Sequence, residues 1–138
     1  MLSIEHRENS DDELGEIIDI EFENYAAKYG LACKYKLFNF VAKENNKIVG
    51  ILTGYSLYNE IHIKELVVVE RYRNKHIGSE LIKTAEDYYK DKDFEIMTLN
   101  TYNFQAPEFY KKLGFQIEYI RENKENSKLA KYFFIKYF

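Results

Sequence analysis

Residues 60–115 read EIHIKELVVVERYRNKHIGSELIKTAEDYYKDKDFEIMTLNTYNFQAPEFYKKLGF, and their pattern decides the fold. The stretch opens on a strand, Glu60 to Val69, that ends in the unbroken apolar run Leu66-Val67-Val68-Val69. Such a run predicts burial on both faces and a central place in a sheet. After Gly78, the residues Leu81, Ile82, Ala85, Tyr88 and Tyr89 recur at helical spacing. Phe94 to Leu99 returns to strand. A strand, helix, strand unit implies a parallel pair with a right-handed crossover. Ala106 to Lys112 reads as a short helix, with Pro107 in its first turn and Gly114 just past its end.

Upstream, Phe38, Phe40 and Ala42 alternate with Asn39, Val41 and Lys43, which predicts a strand. Asn45-Asn46 makes a turn. Lys47 to Leu57 is a longer strand, thinned by Gly50 and Gly54, where the backbone bends or another group comes close. Tyr58-Asn59 turns into the Glu60 strand, which completes an antiparallel meander. Leu2 to His6 reads as a short strand. Ser10-Asp11-Asp12-Glu13 has the form of a capping box with Ser10 as the cap. Leu14, Ile18, Phe22, Tyr25 and Ala26 then keep helical spacing up to Gly30, giving a helix from about Asp11 to Tyr29 and a loop over Leu31 to Leu37. Downstream, Phe115 to Arg121 and Ala130 to Phe138 are aromatic-rich strands joined by the polar Glu122 to Lys128. The class is α+β. One mixed, mostly antiparallel sheet of about six to seven strands carries helices on both faces, in one domain over residues 1–138.

Composition narrows the function. The chain has 20 Lys plus Arg against 23 Asp plus Glu, a net charge of −3, so no global field attracts nucleic acid or an anionic membrane. Cys33 is the one cysteine, and no Cys/His spacing forms a zinc site, so no metal is expected. A single thiol fits a reducing, cytoplasmic setting. No apolar run approaches the ~18 residues of a membrane helix, and the charged start Met1 to Asp12 does not read as a signal peptide.

The segment Val68 to Ser79 is a strand end, a basic turn with Arg71, Arg73 and Lys75, and a helix start. Unpaired N–H groups and the helix macrodipole make such a turn an anion site, and a phosphorylated ligand is its natural occupant. A solvated basic loop has the same spacing, and both GxGxxG and the Walker pattern are absent.

Arg73-Asn74-Lys75-His76-Ile77-Gly78 resembles the Arg/Gln-x-x-Gly-x-Gly/Ala motif of the GNAT family of N-acetyltransferases. Leu66-Val67-Val68 resembles the family's Leu-Ala-Val strand end. Asn103-Phe104-Gln105-Ala106-Pro107-Glu108-Phe109-Tyr110-Lys111-Lys112-Leu113-Gly114-Phe115 resembles its Asn-x-x-Ala-x-x-Phe-Tyr-x-x-Leu-Gly-Phe segment. The two motifs stand in the right order and cover Glu60 to Phe115, while residues 1–59 match in element order alone. The resemblance implies that Arg73 to Ser79, with Asn74, Lys75, His76, Ile77 and Gly78, wraps the pyrophosphate of acetyl-CoA. It also implies that Asn103 contacts the pantetheine or pyrophosphate region. His76 departs from the motif's first glycine, and its Cβ would strain the turn if that position needs a positive φ.

The resemblance further implies that Tyr110 is the general acid. An amine attacking a thioester expels a thiolate, and a phenol beside the sulfur can protonate it. The attacking amine must be neutral, so a base or water chain takes its proton. The Glu60 strand offers Glu60, His62, Lys64 and Glu65. Alternation puts His62 and Lys64 on one face and Glu65 on the other unless a bulge intervenes. The resemblance implies a bulge near Leu66-Val67-Val68, which would free N–H groups for the thioester oxygen and turn Glu65 to the cleft. Both His62 and Glu65 are therefore candidate bases. Cys33 reads as a buried thiol, since direct transfer needs no acyl-enzyme.

The resulting expectation is an acetyl-CoA-dependent enzyme that acylates a primary amine of a small molecule or peptide, with a homodimer allowed for. Acidic residues of the first helix, among them Asp11, Asp12, Glu13, Glu21 and Glu23, lean toward a cationic acceptor. The competing expectation is a non-catalytic acyl-CoA-binding or regulatory module on the same fold. A nucleotide-binding module lacks its fingerprints.

Overall fold

The computed structural model describes residues 1–138. Alternating apolar residues make β1 (Lys36–Glu44), whose Phe38, Phe40 and Ala42 are half-buried between exposed neighbours. Tight turns link it to β2 (Lys47–Leu57) and β3 (Glu60–Val68), the expected antiparallel meander. The remaining elements are α1 (Asp12–Ala27) before the meander, and α2 (Ile77–Tyr89), β4 (Ile96–Tyr102), α3 (Pro107–Lys112), β5 (Gln116–Arg121) and β6 (Lys131–Tyr137) after it. They form one six-stranded sheet of order β1-β2-β3-β4-β6-β5, in which only β3 and β4 run parallel.

The core lies between one sheet face and α2. Leu52, Ile61, Ile63, Met97, Leu99 and Phe134 pack from the strands against Leu81, Ile82, Ala85 and Tyr89 of α2. Tyr110 of α3 and the adjacent Phe115 complete the cluster. On the other face, α1 lies beside Tyr55 and Leu57 of β2 and buries only Ala26.

Five expectations change. The run Leu66 to Val69 is central in the sheet but not buried on both faces, since Val67 and Val69 are exposed. Leu2 to His6 forms no strand. The cap of α1 is Asp11, whose carboxylate accepts from the Leu14 N–H at 2.9 Å, and not Ser10. The one-residue shift puts Leu14 where Glu13 was expected to reach back. Lys36 and Leu37 belong to β1 rather than to a loop, and β4 starts at Ile96 and reaches Tyr102 rather than spanning Phe94 to Leu99. Phe94 is instead a core-packing residue just before the strand.

The bulge lies two residues earlier than expected. Thr53 pairs with Glu65 and Gly54 with Ile63, which leaves Lys64 as the extra residue of β3. Gly54 makes this possible: a Cβ there would stand 2.1 Å from the His62 carbonyl oxygen and 2.6 Å from Phe38 Cζ. The extra residue reverses the alternation of β3. Ile61 and Ile63 face α2, Leu66 opposite Leu52 returns to that side, and Glu65 joins His62 on the other face.

Gly54→Ala should therefore destabilise the fold by about 1–3 kcal/mol or more in urea unfolding, through overpacking against backbone that cannot yield. Gly15→Ala in α1, where an added Cβ meets nothing within 4 Å, should stabilise by about 0.5–1 kcal/mol.

Candidate active site

The β3–β4 ladder is short. It runs from Glu60 opposite Ile96 to Ile63 opposite Leu99 and stops, although β3 continues to Val68 and β4 to Tyr102. The bulge at Lys64 bends β3 away where pairing ends. Between the splayed ends lies a cleft of about 290 Å³, bounded by Glu65, Leu66 and Val67 of β3, Asn100 of β4, and Tyr110 of α3. The β4-facing backbone of β3 has no strand partner there. It offers an edge of donors and acceptors to an extended ligand.

Beyond Val67, which lines the cleft, β3 ends and the chain runs into the turn before α2. Asn74 and His76 both adopt left-handed backbone, φ 63° and 64°, so the chain curls tightly into the helix. His76 thus occupies the strained conformation anticipated from the sequence. It is the N-cap of α2 but makes no side-chain cap bond, and Ser79 Oγ donates to the His76 carbonyl at 3.0 Å instead of capping. The first-turn N–H groups are consequently left without a capping side chain, at the positive end of the helix dipole. Arg73 Nε donates to the Val68 carbonyl at 2.9 Å, which ties the guanidinium to the end of β3. The cations of Arg71 and Lys75 both lie over the Tyr72 ring, 5.5 Å from its centroid. Gly78 lets α2 approach α3, because a Cβ would stand 3.2 Å from Phe109 Cζ. Ile77 packs against the core beside Gly50.

Tyr110 is 8% exposed and its ring packs on Phe109, Phe115 and Phe134. Burial pushes its phenol up to about 12. The hydroxyl has no protein partner, yet no buried side-chain oxygen or nitrogen lacks one, so the oxygen meets the cleft.

The face opposite α2 carries both candidate bases. Glu65 accepts from Thr53 Oγ1 at 3.1 Å and is exposed. His62 is largely covered, its side chain 18% exposed and its ring 5.1 Å from that of Tyr55. Its Nδ1 lies 2.8 Å from Thr98 Oγ1. Burial lowers its pKa from the ordinary 6.5, and this outweighs the opposing pull of Glu60. Alongside, α1 and the meander enclose a cavity of about 460 Å³ lined by Ile18, Phe22, Tyr35 and Tyr55, with Asp19 and Glu23 as its carboxylates. No group of three or more His, Cys, Asp or Glu side chains converges to hold a metal, and no helix is long and apolar enough to cross a membrane.

A family model described as the acetyltransferase (GNAT) family matches residues 4–115. The chain belongs to the GNAT acetyltransferase family. It is 27% identical over 119 residues to an uncharacterised N-acetyltransferase of Methanocaldococcus jannaschii, covering 80% of this chain and 76% of that protein. An acetyltransferase of Bacillus cereus superposes with a TM-score of 0.76 at 29% identity, over 97% of this chain and 98% of that one. A GNAT family acetyltransferase of Elizabethkingia anophelis with acetyl-CoA bound superposes at 0.64 and 25% identity, over 92% and 85%.

Of the two motif segments, the second puts Tyr110 on the wall of the cleft, whereas Arg73 to Ser79 lie outside its lining, after the end of β3. Leu66 and Val67 line the cleft, and Val68 sits beyond them, paired with Gly50 and holding Arg73. Asn103 is set apart from the lining. It is exposed in the turn after β4, its N–H donates to the Ala130 carbonyl at 2.8 Å, and its Oδ1 accepts from the Tyr132 hydroxyl at 3.4 Å. Sequence reasoning passed over Asn100 in the cleft and Thr98 beside His62. The parallel register that places them follows from aligning the apolar residues of β3 and β4, Ile61 with Met97 and Ile63 with Leu99.

Left-handed backbone costs an L-residue about 1–2 kcal/mol, and glycine gives back about 0.5–1 kcal/mol through its looser unfolded chain. His76→Gly is expected to leave thermal stability unchanged or raise it by up to about 1 kcal/mol, measured by calorimetry without ligand.

Proposed function

We propose that this chain transfers an acetyl group from acetyl-CoA directly to a primary amine of a small molecule or peptide. The observation that carries the reading is the splayed β3–β4 cleft, which has a hydrogen-bond donor, Tyr110, on its wall and Glu65 in its lining, with His62 on the same face of β3 as Glu65. The uncapped N–H groups of Ile77, Gly78 and Ser79 suit a pyrophosphate, with the fork of Arg73 beside them. The unpaired edge of β3 suits the amides of pantetheine and brings the thioester to the end of the β3–β4 ladder. There the freed N–H groups can hold the carbonyl oxygen as it gains negative charge. Because α2 and α3 cover one face, the amine arrives from the other.

His62 accepts the proton of the attacking amine, aided by burial that keeps its imidazole neutral. Glu65, on the same face, helps draw a cationic amine in. The amine nitrogen bonds to the thioester carbon, and the C–S bond then breaks. A free thiol has a pKa near 8.5, so a phenol held at about 12 cannot give up its proton fully to the departing sulfur. Tyr110 acts by donating a hydrogen bond as charge develops there. The proton that completes the free thiol is the one taken from the amine, returned by way of His62 and water. The aromatic walls of the cavity under α1, with Asp19 and Glu23, favour an acceptor that combines apolar bulk and positive charge.

Release of free thiol from acetyl-CoA across polyamines, aminoglycosides, amino acids and peptide N-termini tests the reading. Turnover with any of them supports it, whereas saturable CoA binding with no thiol release identifies a binding module instead. Arg73→Ala should weaken CoA binding by about 1–3 kcal/mol in calorimetry. Tyr110→Phe keeps the ring packing and should lower kcat at least tenfold with little change in CoA affinity, since the hydroxyl matters mainly as charge reaches sulfur. Unaltered kcat with chemistry rate-limiting would exclude that role.

The pH profile follows from the same shifts. His62 must be neutral, so kcat should fall only as pH drops below the ordinary histidine value of 6.5. Tyr110 stays protonated, so no alkaline limb from it should be seen below about pH 11.

A further inference from the structure

We infer that Thr98 and Glu60 form a positioning relay that locks His62 in the tautomer with Nδ1 protonated and Nε2 free to take the amine proton. The inference rests on the reading of His62 as the base. It starts from the register of the sheet. Glu60 and His62 are two residues apart on β3 and so share a face, and the parallel ladder sets Thr98 of β4 opposite His62. Thr98 Oγ1 donates to Glu60 Oε2, and the same oxygen lies 2.8 Å from His62 Nδ1.

A threonine hydroxyl has one proton, and a carboxylate can only accept. With that proton given to Glu60, Oγ1 can meet Nδ1 only as an acceptor, so Nδ1 carries the hydrogen. The opposite tautomer would leave two acceptors facing each other and lose one of the two bonds. Glu60 lies 3.7 Å from Nδ1, too far for a direct hydrogen bond, so the hydroxyl is the required link. Nε2 has no protein partner, and no buried nitrogen lacks one, so Nε2 is open to solvent.

The relay also supplies charge. When Nε2 takes a proton, the imidazolium sits beside the Glu60 carboxylate, which offsets part of the cost of charging a covered ring. The groups around the ring act in both directions. Glu60 favours the charged form, Lys64 of β3 and Lys131 of β6 oppose it, and Tyr55 of β2 covers the ring. No other motif residue provides this arrangement, and Glu65 stands outside it, bonded to Thr53.

Long-range proton–nitrogen NMR on the full chain reads the tautomer directly, with His62→Gln identifying the resonance among the three histidines. At a pH where His62 is neutral, the parent should show protonated Nδ1 and bare Nε2. Thr98→Val removes the hydroxyl at similar size. It should mix or invert the tautomers and lower kcat about tenfold with the acceptor KM changed less than twofold, and Thr98→Ser should restore both. Glu60→Gln should move the NMR titration of His62 to lower pH, because a favourable charge is lost. A parent protonated on Nε2, or a folded Thr98→Val that keeps both tautomer and rate, overturns the relay. Nδ1 protonation together with parental turnover in His62→Gln instead sinks the base role, leaving a structural lock with no catalytic meaning.

Discussion

Lys64 has no partner on β2, and the backbone around it passes so close to Gly54 that only a residue without a side chain fits there. From that one register shift the site follows. Before it, Ile61 and Ile63 point into the core, and β3 still pairs with β4. After it, the alternation is inverted, Glu65 stands on the face of His62, and β3 leaves β4. The cleft is the space this departure opens. A straight β3 would close it, bury Glu65 against α2 and continue the ladder through the region where the ligand edge now lies.

The two halves of the cleft are built on opposite principles. The side toward α2 and α3 is tied down at particular points. Gly78 brings α2 within van der Waals contact of Phe109, and Arg73 is fastened to the strand end by a main-chain carbonyl. Two left-handed residues, Asn74 and His76, flank Lys75 there despite their conformational cost. At His76 the helix starts with no side-chain cap on its first-turn N–H groups. The side toward α1 is looser. α1 buries only Ala26 and leaves Ile17, Phe22 and Tyr25 exposed, so the wall nearest His62 has few contacts to hold it in one position.

Burial shifts Tyr110 and His62 in opposite directions. Tyr110, packed among Phe109, Phe115 and Phe134, is pushed up. His62, covered by Tyr55, is pushed down and stays free to accept a proton. Low-dielectric surroundings disfavour the charged form in both, and because one charges by losing a proton and the other by gaining one, the same cause drives them apart.

The sequence alone determined the meander, the parallel β3–β4 unit, the order of helices and strands, and the two motif segments with Tyr110 and the Arg73 turn. The elements are written in local periodicity and turn residues, whereas Tyr110 and the Arg73 turn were singled out by resemblance to the family's motifs. The residue at the bulge, the face of Glu65, the cap by Asp11 and the meeting of Glu60, His62 and Thr98 were decided only by tertiary structure. A bulge depends on which strand bends to relieve packing against Phe38 and α2, and period-two patterning cannot say where the extra residue falls. Thr98 is 36 residues from His62, and nothing near either marks the other. Their contact exists because the apolar residues of β3 and β4 lock into one register against the same helix.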